Sequence, residues 1–203
     1  FDRGNAVLAE RVITLQLATG DVEPAFDLAE KLLLTDNRNP TARIALAAAA
    51  IKGGRFALAK RELKDTLQSP AATLTAGLLV AWANQGLGET DDAFTVVDGL
   101  TGPPWYEIFK NYHRALIADA AGREPEADAA ITKTYELDAT YLRVVEAYAR
   151  IKARNGDRAE ALRALTEASG ITAGHPVVNE LVAELRAGKT PAPIAATAQA
   201  GAA

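Results

Sequence analysis

The residues of this chain best suited to acid–base or metal chemistry near neutral pH are two histidines, His113 and His175. Neither has the company that such chemistry needs. His113 lies between Tyr112 and Arg114 in a helical stretch, and no Asp or Glu stands three or four residues away to complete a metal pair. It reads as a partly buried or surface imidazole. His175 precedes Pro176 and reads as a loop residue. The nearest carboxylate pair, Asp91 and Asp92, opens a helix, where negative charge suits the backbone dipole. Gly53-Gly54 is a turn between helices, and no nucleophile elbow, phosphate-binding loop, calcium loop or dinucleotide fingerprint occurs. With no Cys, the chain has no disulfide, thiolate nucleophile or Cys-ligated zinc. No catalytic residue, cofactor or metal is expected, and the chain reads as one that does no chemistry of its own.

Composition narrows the partners. A net charge of −4 opposes a surface that tracks phosphates, so nucleic acid is not an expected ligand. No apolar run reaches the ~18 residues of a membrane span. The nearest, Ala45 to Ile51, is short and meets Lys52, so no direct membrane insertion is expected. The chain also lacks Met, so Phe1 is not a translation start and a processed or excised piece is expected; the lack of a leader then says nothing about secretion. Abundant Ala with more Arg than Lys fits a GC-rich bacterial genome, leaving cytoplasm and cell envelope both open.

What could position side chains is a helical array. Of the 203 residues 44 are Ala, which implies helices packed at close range, while aromatics at 6% are too few for a β-sandwich core. Gly recurs at Gly20, Gly54, Gly88, Gly122 and Gly156, a strict spacing of 34. Five residues after each comes Ala25, Ala59, Ala93, Ala127 and Ala161, and seven before each comes Ile13, Ala47, Ala81, Ala115 and Ala149. Apolar residues flank the first Gly at helical spacing: Val7, Leu8, Val12 and Leu15, then Phe26, Leu28, Leu32 and Leu33. Each Gly therefore sits where one helix stops, in a left-handed conformation that needs no Cβ. The Ala columns mark where paired helices cross. Four residues beyond each crossing Ala come Ala29, Leu63, Val97, Ile131 and Leu165, a core stripe. Asp21 and Thr90 are the expected N-caps of second helices, Asn5 that of the first helix, and Pro24 and Pro125 fit first turns.

This pattern resembles the tetratricopeptide repeat, whose 34-residue helical hairpin has small residues at its eighth and twentieth positions and Gly at its fifteenth. The resemblance implies an all-α, right-handed superhelical solenoid of five hairpins, at 6–39, 40–73, 74–107, 108–141 and 142–175, plus a partial unit at 176–187. Helices are expected near 6–18, 22–34, 40–52, 56–67, 72–86, 90–99, 104–120, 124–136, 140–154 and 158–169. The bulky aromatics that the family carries at its fourth and eleventh positions are mostly absent. Phe1 to Gly4 look like the tail of a preceding unit. Residues 188–203, Pro- and Ala-rich, are either a linker or a truncated second helix. The helix from Pro176 carries Val177, Val178, Leu181, Val182 and Leu185, which predicts an exposed apolar face and an array continuing beyond this piece.

The resemblance also implies a protein- or peptide-binding groove built from first helices. The family's groove positions fall here on Ile44, Leu78 and Trp82, then Phe109, Tyr112 and Leu116, and then Arg143 and Arg150. An apolar and aromatic stretch would thus run into a basic end, reinforced by Arg154, that suits the acidic end of a ligand. Trp82 and Tyr112 could instead fill the core in place of the absent core aromatics. The carboxylate clamp of some family members needs Lys and Asn where this chain has Glu10, Thr14, Ala45, Thr75 and Leu79, so that function is not expected. Three functions follow: a protein-binding scaffold; a structural module that packs on another domain or on a second copy through exposed terminal helices; or, more distantly, part of a helical enzyme whose catalytic portion lies elsewhere.

Overall fold

A computed structural model describes residues 3–63, 69–169 and 174–202, and among these every regular element is a helix. The chain divides into two compact units, residues 1–103 with 202–203, and residues 104–201.

Unit 1 holds three hairpins: α1 (Arg3–Thr19) with α2 (Val22–Leu33), α3 (Pro40–Lys52) with α4 (Phe56–Glu62), and α5 (Pro70–Gly86) with α6 (Thr90–Gly99). Each second helix also packs on the next first helix, and the first helices α1, α3 and α5 lie side by side. Unit 2 repeats the scheme with α7 (Tyr106–Ala120), α8 (Glu124–Leu137), α9 (Leu142–Arg154), α10 (Arg158–Ser169) and α11 (Pro176–Arg186); a single turn, α12 (Ala198–Ala202), follows in sequence. Within each unit this is a helical solenoid, with boundaries, the end of α4 apart, within about two or three residues of those expected from periodicity.

The residue columns account for the packing. Crossing alanines Ala25, Ala59, Ala93, Ala127 and Ala161 are at most 1% exposed, as are Ile13, Ala47, Ala81, Ala115 and Ala149. Small side chains at these crossings let two backbones approach, and the stripe Ala29, Leu63, Val97, Ile131 and Leu165 fills the space beside them. The turns are equally uniform. Gly88 and Gly122 have φ of +80° and +70°, which an L side chain tolerates poorly. At each, the next amide donates back across the turn, Glu89 N to Asn84 O at 2.9 Å and Arg123 N to Ala118 O at 2.9 Å. This six-to-one bond satisfies carbonyls that the helix end would otherwise orphan.

Several local expectations are corrected. α1 begins at Arg3, so Asn5 lies inside the helix rather than capping it. Asp21 is the N-cap of α2 but its side chain makes no capping bond, and α6 is capped at Glu89, one residue before Thr90. The Thr90 hydroxyl instead donates to Gln85 Oε1 at 2.8 Å. Side-chain caps occur on first helices: Asn39 Oδ1 accepts from Ala42 N at 3.1 Å and Ser69 Oγ from Ala72 N at 3.2 Å, each with Pro following at the first helical position. The apolar face of α11 is not exposed: Val178, Leu181 and Leu185 are buried against Val145, Ala149, Ala161 and Leu165. Amphipathic phase decides this, since those three residues fall on the side facing α9 and α10. Exposed apolar surface on a terminal helix is found on α1 instead, at Val7, Leu8 and Leu15. The expected end of the fourth helix past residue 63, and Phe1 and Asp2, lie outside the described residues.

Candidate functional site

The groove positions behave differently in the two units. In unit 1, Trp82 is 1% exposed, Leu78 is buried, and Ile44 is half-buried against the cluster of Ala47, Ala50, Ile51, Ala59, Leu63 and Ala83. A ring as enclosed as that of Trp82 presents no surface to a partner in this conformation.

In unit 2 the corresponding face keeps accessible chemistry. Leu116 is buried and anchors α7, but Phe109 lies nearer the N-terminal end of that helix, 45% exposed. Its ring meets Trp105 edge to face, with centroids 5.9 Å apart, and Trp105 is also 45% exposed. Such T-shaped pairs are favourable because the positive ring edge faces the negative ring face. Trp105 occupies the N-cap of α7 without a capping bond, and Tyr141, 60% exposed, does the same on α9. Sequence reasoning missed Trp105 and Tyr141. The signal available was an aromatic one or two residues before a first helix, where unit 1 places Asn39 and Ser69.

Tyr112, three residues beyond Phe109, is half-buried close to Arg143 and Glu146. Burial raises its phenol above the ordinary value, Arg143 opposes the rise and Glu146 adds to it, so the hydroxyl stays a neutral donor. Arg143 is exposed, with a guanidinium nitrogen 4.0 Å from Glu146. Arg150 donates through Nε to Glu146 Oε1 at 3.0 Å and through Nη1 to the carbonyl of Ala192 at 3.2 Å. Arg154 is paired with Asp119, whose carboxyl burial raises while Arg154 pulls it down. The basic end expected for an acidic ligand is therefore largely matched by internal carboxylates. What remains outward is the Arg143 guanidinium and the aromatic edge.

Neighbouring features are structural. Burial lowers the His113 imidazole to about 4, so it is neutral at physiological pH. Tyr135 stacks on Tyr148 at 4.2 Å, and the Tyr148 hydroxyl donates to Glu160 Oε1 at 2.7 Å. Hydrogen bonds from Arg163 and Tyr148 hold the Glu160 carboxyl down to about 2. Apart from these, in a cleft in unit 1 lined by Glu23, Phe26, Asp27, Lys52 and Arg55, the Lys52 ammonium is bound to Glu23 at 2.6 Å. Among the described residues no grouping of three His, Cys, Asp or Glu could hold a metal, and no helix is long and apolar enough to cross a membrane.

No protein-family model and no curated protein matches the chain. A solved structure described as YrrB, a TPR protein with an unusual peptide-binding site, aligns over 86% of this chain and 90% of its own, with a TM-score of 0.51 and 14% identity. The repeat columns, the uniform Gly turns and this alignment agree that the chain has the tetratricopeptide-type helical-repeat fold.

Proposed function

We propose that this chain is a protein-interaction scaffold whose accessible binding surface in unit 2 is the first-helix face carrying Trp105, Phe109, Tyr112, Arg143 and Arg150. The observation that carries the reading is the exposed aromatic edge. In a chain with only 6% aromatics, Trp105, Phe109 and Tyr141 are all held out to solvent, and the Arg143 guanidinium near Tyr112 is exposed as well. Exposed aromatic surface costs solvation unless a partner covers it, and aromatic and Arg side chains dominate binding energy at interfaces. The structure described as having a peptide-binding site shares the fold, and a peptide or a helix of another protein fits a surface of this kind. Ile44, Leu78 and Trp82 contribute here by holding their helices in place rather than by touching the ligand.

The test is selection of peptides from a random display library on the full chain, followed by affinity measurement on Phe109→Ala. A loss of tenfold or more in affinity with an unchanged melting temperature is expected. Peptides that bind parent and variant equally, or a library that yields no binder, would sink the reading. A second reading, pairing of two copies, is favoured by one observation only, the exposed Val7, Leu8 and Leu15 on α1. Light scattering that reports a monomer at high micromolar concentration removes it.

A further inference from the structure

On the second-helix side the two units exchange roles. In unit 1, α2 and α4 both pack on α3 but not on each other among the described residues, and a cleft of about 590 Å³ lies between them. That volume falls within the about 300–1,000 Å³ common to ligand sites. Its floor is apolar and only half-buried: Phe26, Leu46, Ala49 and Leu58. Three repeats further along the same register, Leu46 and Leu58 become Tyr148 and Glu160, and Phe26 becomes Asp128. There the side chains bond one another. Tyr148 donates to Glu160 and stacks on Tyr135, Arg163 also holds Glu160, and Lys152 is bound to Asp128. The unit 1 cleft is open because short apolar residues stand where unit 2 has that bonded set.

The charges around this floor say what fits it. Glu23, Asp27 and Glu30 fall at i, i+4 and i+7 on α2, one row along the cleft wall. Glu23 already holds a cation: the Lys52 ammonium is bound to it and lies 5.9 Å from the centroid of the Phe26 ring. A carboxylate and an aromatic face together make a seat for an ammonium or guanidinium group. Asp27 and Glu30, exposed on the same row, have no ion-pair partner among the described residues. Arg55 stands three residues after Lys52, at the Glu23 end of the cleft, which leaves Asp27 and Glu30 uncompensated.

We infer that this cleft docks a segment of a partner protein that carries Lys or Arg beside apolar side chains. The apolar groups lie on Phe26, Leu46 and Leu58, and the cations pair with Asp27 and Glu30. Charge complementarity selects this occupant, since an acidic or neutral segment would leave the carboxylate row unpaired. Lys52 competes only weakly, because its bond to Glu23 is exposed and such pairs contribute little. The site is separate from the unit 2 face and does not rest on it.

The test titrates the full chain with a fluorescent amphipathic peptide of Leu and Lys, a matched peptide of Leu and Glu, and spermine. The parent should bind the Leu–Lys peptide about tenfold or more tighter than either of the others. Asp27→Asn with Glu30→Gln should weaken that binding by about tenfold or more, and Lys52→Ala should tighten it. Leu46→Tyr with Leu58→Glu copies the unit 2 arrangement, with Arg61 standing where Arg163 holds Glu160, and should fill the cleft and abolish binding. Circular dichroism checks the fold; if this variant loses helicity, the exposed Asp27 and Glu30 positions decide alone. Phe109→Ala should leave the affinity unchanged; a loss there would put the peptide on the unit 2 face and overturn the inference while that face stands. A parent that does not bind the Leu–Lys peptide, or binding indifferent to the Asp27 and Glu30 changes, also overturns it. Equal binding of spermine would show surface charge acting without the apolar floor, and the inference falls on that result too.

Discussion

The two units share one scaffold and use its free positions in opposite ways. Both are built on the same Gly turns and buried Ala crossings, and both stack first helices side by side. In unit 1, α3 and α5 start with side-chain caps and proline, and groove positions turn inward: Leu78 and Trp82 are buried. In unit 2 aromatics without capping bonds stand in the cap positions of α7 and α9, and Phe109, Tyr112, Arg143 and Arg150 remain at least partly accessible. The columns fix where the backbone goes, and the remaining positions are then available either for packing or for surface chemistry. Unit 1 is the packed form of this repeat, and unit 2 the displaying form.

The largest expected effect tests the packed side. Trp82→Ala should destabilise unit 1 by about 3–5 kcal/mol, the usual loss for an enclosed aromatic, whereas Phe109→Ala should stay within about 0.5 kcal/mol of the parent. Urea titrations of both variants decide it. Repeat arrays couple neighbours, so the Trp82 loss should spread to the adjoining hairpins as a broadened transition. A Phe109 variant that loses more stability than the Trp82 variant would reverse the assignment of packed and displaying faces.

A second test concerns the buried polar content of unit 2. His113 is held near 4 in the folded chain and titrates at its ordinary value of 6.5 when unfolded. The unfolded state therefore binds a proton first. Stability from this group is complete above about 6.5, falls as the pH drops toward about 4, and falls no further below that. The total is on the order of 3 kcal/mol, from the size of the shift. Melting temperatures of the parent and of His113→Gln, measured from pH 7 to pH 4, should diverge across that window. Parallel curves would show that His113 gains a proton without penalty.

The turns should behave alike in both units. Gly88→Val in unit 1 and Gly122→Val in unit 2 should each cost about 1 kcal/mol or more, because the branched side chain must adopt a positive φ. An added Cβ meets no atom within 4 Å at either site, so the cost is conformational and not steric crowding. Equal losses in urea midpoints would show that the scaffold is one and the same throughout. A loss at Gly88 alone would mean that the units differ in backbone as well as surface.

How far the sequence could be read follows the same division. The columns of Gly and Ala were legible because each depends on a local requirement, a left-handed turn or a close crossing, that only one or two residue types meet. Burial at groove positions was not. Trp82 and Phe109 look alike in a repeat register, and which of them is enclosed depends on neighbours distant in sequence. The apolar face of α11 was legible as a stripe but not as a covered one, since its cover is α9 and α10 themselves. The hydrogen bond from Arg150 to the Ala192 carbonyl had no local signal at all: the segment around Ala192 has no periodicity and, after Lys189, no charge, and its partner lies 42 residues away. The caps on α3 and α5 could have been found from Asn39-Pro40 and Ser69-Pro70.

The smallest effect is the sharpest on purpose. Tyr141 has φ −75° and ψ 119°, close to the −61° and 117° of Asn39, yet only Asn39 supplies a side-chain oxygen to its helix. The amide of Val144 reaches only the Tyr141 carbonyl, at 3.0 Å, in the place where Ala42 N meets the Asn39 side chain. Tyr141→Ser should therefore create a cap in a backbone already shaped for it and stabilise unit 2 by about 0.5–1 kcal/mol. It also removes an exposed ring that makes no capping bond. If the aromatic edge exists for binding, the variant melts higher and binds display-selected peptides less tightly, the trade of stability for function expected at a site. If the ring is only a packing element, stability falls instead and binding is unchanged. The sign of the change in melting temperature, read together with peptide affinity, separates an aromatic held out for a partner from one that merely occupies a helix end.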